Sequence, residues 1–251
     1  MEITEEQYAR IKDSLPVQRG NVSLSNLQLL NALLYVAEHG CQWRGLPKHF
    51  GNWHTIYTRM NRWSKSGVLD RVFEKLQREQ MVRIRIEALA LDSTTVKVHP
   101  DGTGALKKNG PQAIGKSRGG WTTKIHLVAA HTRTALSFAL SPGQAHDAPA
   151  GREWLRDLPL LPRLPLLMDR AYEGDETRQL AQALGMIPVV PPKANRLNPW
   201  RYDRALYRKR NEIERLFRRL KSYRRIFSRF EKLDCLFLGF LCFALLIEAL
   251  R

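Results

Sequence analysis

The apolar residues first change their period near Arg85. Before that point SLSNLQLLNALLYVAEHG spaces its apolar residues as a helix does and stops on Gly40, so residues 1 to about 80 read as helical. After it, EALALDSTTVKV is a short apolar run with β-branched residues, and TKIHLVAAH and ALSFALS follow as two strands of a hairpin or meander. The polar, Gly-rich HPDGTGALKKNGPQAIGKSRGG between them reads as a loop. SPGQAHDAPAGREWLRDL opens a helix with Asp147 as its N-cap, LPLLMD is a strand, and GDETRQLAQALG is a helix closing on Gly185. MIPVVPP is a short strand whose prolines suit an edge. A basic loop, KANRLNPWRYD, leads into a long helix from Tyr207, and an apolar helix ends the sequence. Strands alternating with helices in this way give an α/β class: a mixed sheet flanked by helices behind an N-terminal all-helical module. The division is set at residues 1–82 and 83–251.

A net charge of +17 and a pI near 10.2 call for a polyanionic partner, nucleic acid first and an anionic membrane surface second. The front module suits DNA. Trp53 to Trp63, a turn at Ser66-Gly67 and Val68 to Leu76 read as helix, turn, helix, with Arg59 and Arg62 among its basic residues and the tryptophans partly in the core. The acidic, polar start MEITEEQYARIK is no signal peptide. The apolar run Cys235 to Ile247 would span about 20 Å as a helix, against about 30 Å for a bilayer core. It is therefore a buried terminal helix and no membrane span. Cys41, Cys235 and Cys242 lack metal-ligand spacing; the last two read as core, zinc is not expected, and the set suits a reduced, cytoplasmic protein.

Two strands run directly into an acid: LALD at Asp92 and LLMD at Asp169. Sheets of this class present ligand-binding residues at strand carboxyl ends, although either aspartate alone also reads as a turn cap. A third acid comes from the helix YRKRNEIERLFRRLKSYRR, which carries nine Lys or Arg and only Glu212 and Glu214. At about 100° per residue, Tyr207, Arg210, Glu214 and Lys221 share one stripe beside the apolar stripe of Ile213, Leu216, Phe217 and Leu220. Glu212 falls on the far side, as a solvated partner for arginines. Three carboxylates from two strands and a helix are a hard donor set for Mg²⁺ or Mn²⁺, and a pair of such ions serves phosphoryl transfer.

The spacing Tyr207, Arg210, Glu214, Lys221 matches the Y-(2)-R-(3)-E-(6)-K signature of bacterial insertion-sequence transposases. CQWRGLP, LALDSTTVKVH, GKSRGGWTTKIHLV, SPGQAHD, LLMDRAYEGDETR, IPVVPPKANR and YRKRNEIERLFRRLK also resemble the IS-five type, in order and over nearly the whole chain. The resemblance implies a ribonuclease-H-like fold and a DDE triad that falls on Asp92, Asp169 and Glu214, with no departure at these positions or at Tyr207, Arg210 and Lys221. It also implies two Mg²⁺ ions, or Mn²⁺ in their place. Cleavage at element-end inverted repeats, transfer of the freed 3′-OH to target DNA, and a homo-oligomer on DNA, associated with the bacterial nucleoid, follow from it as well. The front module would recognise the element ends. Arg210 and Lys221 would hold phosphates or orient carboxylates, with Tyr207 packed nearby. Lys116, Arg118, Lys193 and Arg196, read as loop residues, are candidate backbone contacts, and His126 and His146 candidate supports of the site. The alternative is a DNA-binding protein that keeps the fold without the activity.

Overall fold

A computed structural model of the chain describes residues 2–83, 86–158, 160 and 163–251; Arg85, where the sequence pattern changes, lies outside them. In chain order the helices are α1 (Glu5–Ala9), α2 (Asn26–His39), α3 (Trp53–Lys65), α4 (Val68–Arg83), α5 (Asp147–Leu155), α6 (Asp175–Ala183), α7 (Arg204–Tyr207), α8 (Asn211–Ser222), α9 (Arg224–Phe227) and α10 (Asp234–Leu250). The strands are β1 (Leu89–Val98), β2 (Gly115–Ser117), β3 (Gly120–His131), β4 (Thr134–Pro142), β5 (Pro165–Met168), β6 (Ile187–Val189) and β7 (Ser228–Arg229). Contacts divide the chain into two interleaved units. Met1–Arg83, Val96–Gln112 and Arg219–Arg251 form one; Ile84–Thr95 and Ala113–Arg218 form the other. The sequence reading had two consecutive blocks and set α10 in the second; by contacts, α10 groups with the front of the chain.

In the first unit α10 packs against α3 and α4. Gly239 permits the close approach, since a Cβ there would collide with Ser64 of α3. Helix α2 starts with a capping box between Ser25 and Gln28 and stops at Gly40, whose φ of 64° is left-handed. Glu248, the acid after the apolar run, is buried but accepts hydrogen bonds from Tyr223 Oη at 3.0 Å and Arg251 at 2.8 Å. A buried carboxylate is tolerable only with such partners. Among the described residues no helix is long and apolar enough to cross a membrane. Cys242 is buried as expected, whereas Cys235 is only half-buried.

The second unit holds most of the sheet. Its order is β3-β1-β5-β6, with β2 and β4 both paired to β3. Strands β1, β5 and β6 run parallel, and β3 and β4 form an antiparallel hairpin. This is the ribonuclease-H-like mixed sheet that the resemblance implied, with β6 at an edge where Pro188 removes no needed donor. Leu89, Ala90 and Leu91 are all buried, so both faces of the sheet are covered at this part of β1, the reason its apolar run is continuous rather than alternating. Leu89, Leu91, Val128, Leu166, Met168, Trp154 and Tyr172 share one core.

Several local readings need correction. Asp92 lies inside β1, because the β-branched residues after it carry the strand on to Val98. Lys116 is in strand β2 rather than a loop, paired with Trp121. The N-cap of α5 is His146; Asp147 is in the first turn and binds Lys124 instead. The helix expected from Tyr207 onward is interrupted by a 3₁₀ turn at Arg208–Arg210 before α8 begins.

Candidate active site

Strands β1 and β5 pair in parallel with Leu91 beside Met168. Asp92 and Asp169 are the next residues after that pair, and the Asp169 charge acts on the Asp92 carboxyl. Asp169 has left the strand there and caps the 3₁₀ turn Arg170–Tyr172, its Oδ1 accepting from Arg170 N at 2.6 Å. The third acid arrives from α8, whose Ile213, Leu216 and Phe217 are buried and fix which face Glu214 presents.

Arg210 joins two of the three acids. Its guanidinium donates from Nη1 to Asp92 Oδ2 at 2.7 Å and from Nη2 to Glu214 Oε1 at 2.6 Å. The Tyr207 ring lies 5.9 Å from the guanidinium carbon. The second Asp92 oxygen accepts from Ser93 N at 2.8 Å. Burial pushes the Asp92 carboxyl up to about 6; the Ser93 hydrogen bond and Arg210 oppose this, while Asp169 and Glu214 add to it. Burial opposes the Arg210 charge too, but Asp92, Tyr207, Asp169 and Glu214 outweigh it and hold the guanidinium more firmly protonated than usual.

The structure therefore brings Asp92, Asp169, Glu214, Arg210 and Tyr207 into one neighbourhood. Among the described residues, no three His, Cys, Asp or Glu side chains stand in metal-holding geometry. The donor set nonetheless fits a hard divalent cation: three carboxylates, one held out of water against its preference for charge, with a guanidinium drawn in as counter-charge. Lys221 lies in the part of α8 that groups with the first unit, and burial lowers its pKa. Glu212 is half-buried and its charge acts on Lys209.

A buried polar chain supports Asp92 from the strand side. Ser141 Oγ lies 2.7 Å from His126 Nε2, and Tyr172 Oη lies 3.5 Å from His126 Nδ1. The Tyr172 hydroxyl also lies near Ser93, the neighbour of Asp92. Burial lowers the His126 pKa to about 4, with Lys124 adding to this and Asp147 opposing it. Ser93, Ser141 and Tyr172 were missed in the sequence; Tyr172 had one signal, its place three residues after Asp169. His146 is exposed and makes no capping hydrogen bond.

The DNA-contact candidates separate. Lys116 and Arg118 are exposed on the β2–β3 hairpin, opposite and beside a half-exposed Trp121 that the sequence reading overlooked. Lys193 lies 3.3 Å from Glu173, and Arg196 pairs with Glu173 at 3.0 Å and Asp175 at 2.8 Å, so both are engaged within the fold. Arg59 donates to Leu24 O at 2.8 Å and to Asn26 Oδ1 and lies over Trp63, a structural role; Arg62 is exposed.

Two family models match the chain: "Putative transposase of IS4/5 family" over residues 3–73 and "Transposase DDE domain" over residues 84–247. A Brucella ovis protein described as "Putative transposase for insertion sequence element IS6501" is 32% identical over 131 residues, 52% of this chain and 99% of the relative. The uncharacterized protein y4sN of Sinorhizobium fredii is 34% identical over 112 residues, 43% of this chain and 86% of the relative. Among solved structures, the piggyBac transposase synaptic complex with hairpin DNA aligns at 11% identity and a TM-score of 0.43, over 78% of this chain and 50% of that one. The chain thus spans half the length of that structural relative.

Proposed function

We propose that this chain, which belongs to the transposase DDE domain family, cleaves DNA at the inverted repeats that end a mobile element and joins the freed 3′-OH to target DNA. In the first step water forms a new P–O bond and the P–O3′ bond breaks, leaving a 3′-OH and a 5′-phosphate. In the second, that 3′-OH forms a P–O bond with a target phosphodiester, whose own P–O3′ bond breaks. Asp92, Asp169 and Glu214 would hold two divalent ions, Mg²⁺ or Mn²⁺, which would supply electrostatic activation of the attacking oxygen and stabilisation of the leaving one. Tyr207 and Ser93 fix the orientation of Arg210 and Asp92, and the His126–Tyr172 chain keeps β1 and the 3₁₀ turn after Asp169 in register. The helical α3–α4 pair would recognise the element ends, and Lys116 and Arg118 would contact the backbone, on at least a dimer that holds two ends together.

The observation that carries this reading is the Arg210 bridge between Asp92 and Glu214, with the Asp169 charge acting on both Asp92 and Arg210. Two acids distant in sequence share one positive counter-charge. Nicking of a duplex carrying the element's terminal repeat, with Mg²⁺ and with chelator, tests it. Wild-type chain should nick only with the metal, and Asp92→Asn should fall to background while still binding the duplex. Nicking that survives Asp92→Asn would refute the assignment, and binding without nicking by the wild type would leave a DNA-binding protein that has lost the chemistry.

A further inference from the structure

We propose that Arg210 is the resident cation of the carboxylate cluster and competes with the divalent ion for it, so that the guanidinium must leave before the ion can be fully bound. The inference rests on reading Asp92 and Glu214 as ligands. The two hydrogen bonds reach acids on different elements, one four residues away and one 118 residues away, so they form a bridge rather than a local helix pair. Both are short and charge-assisted, the strong class of hydrogen bond. They use the same functional groups that a divalent ion would need. The remaining Asp92 oxygen is already engaged by the Ser93 N–H.

The Asp92 end of the cluster is shielded, while the Glu214 side chain is 38% exposed. The Asp92 side chain is 15% exposed and that of Arg210 19%. In such surroundings charges at hydrogen-bond distance are weakly screened, and a guanidinium beside a divalent ion on the same carboxylate is strongly disfavoured. The chain also offers a way out. Arg210 closes the 3₁₀ turn that interrupts the path from α7 into α8, and such a turn within a helical run is a common hinge. Tyr207, on the other side of that turn, lies against the guanidinium with its ring 5.9 Å from the guanidinium carbon, a neutral partner that the guanidinium exchanges at less cost than a charged one.

Competition of this kind is a coupling between two ligands of one site, usually worth roughly 5–150-fold in affinity. Binding of Mn²⁺ to the full chain without DNA, read from the free-ion signal in electron paramagnetic resonance, measures it directly. Arg210→Gln should bind Mn²⁺ on the order of tenfold more tightly than wild type, while Arg210→Lys, which keeps a cation, should not. Arg210→Met, which keeps an unbranched stem and is uncharged, repeats the test if the Gln variant does not melt cooperatively. Equal or weaker Mn²⁺ binding by the neutral variants, with Asp92→Asn abolishing it, would overturn the competition and leave the ligand assignment standing. Binding that persists unchanged in Asp92→Asn would remove the ligand assignment, and the competition with it.

Discussion

Asp92 and His126 are both ionisable groups held largely out of water, and burial acts on them in opposite directions. A buried carboxyl is raised and a buried imidazole lowered, because each resists its charged form. For His126 the consequence is acid sensitivity. Its folded pKa is about 4 against an ordinary 6.5, so its stabilising contribution is complete above 6.5 and is lost as pH falls from there toward 4. At 1.36 kcal/mol per unit this amounts to up to about 3 kcal/mol. Lys124, Asp147, Ser141 and Tyr172 are the groups that face it, and the Lys124–Asp147 pair screens part of the effect. Urea unfolding of wild type and His126→Gln between pH 7.5 and 4.5 should show the variant losing distinctly less stability on acidification; parallel losses would count against the buried neutral imidazole. The two proposed aspartates were picked at this scale because each follows an apolar run directly, a pattern that a turn cap also gives. Arg210 was legible only in part. A helical projection aligns it with Glu214, but nothing local in the sequence points to Asp92, which precedes it by 118 residues.

Helix α8 shows what periodicity can and cannot give. Its apolar stripe was readable, and Ile213, Leu216, Phe217 and Leu220 are all buried. Leu216→Ala should therefore cost about 2–5 kcal/mol, whereas Glu212→Gln, at a half-buried position beside Lys209, should stay within about 0.5 kcal/mol; thermal melts compare them. The 3₁₀ turn before α8 was not readable, because three successive cations suit either kind of helix. Gly40 was readable as a helix stop, and its role is twofold. Its φ is 64°, and a Cβ would stand 2.9 Å from the Arg224 Cβ. Gly40→Ala should cost about 1–2 kcal/mol, and more if Arg224 cannot shift. Lys116 shows the limit for strands: β2 has three residues, too short to display an alternating pattern, so a glycine-rich stretch looked like a loop.

The interleaving of the two units escaped the sequence because α10 is apolar all round and so carries no facing information. The excess of positive charge was plain, but not its distribution. Lys193 and Arg196 are bound to Glu173 and Asp175, while Lys116 and Arg118 are exposed. If counterion release governs DNA binding, each phosphate contact adds about 0.9 to the slope of log affinity against log salt. Lys116→Ala with Arg118→Ala should thus lower the slope by roughly 2, and Lys193→Ala with Arg196→Ala should leave it unchanged; the reverse pattern would move the DNA path. The most direct test of the whole account is an anomalous difference map from crystals of the full chain grown with Mn²⁺ on an element-end duplex. Strong peaks ligated by Asp92, with Asp169 and Glu214 as the further ligands and Arg210 turned away, are the predicted result. Metal bound elsewhere, with Arg210 still joining Asp92 to Glu214, would contradict it.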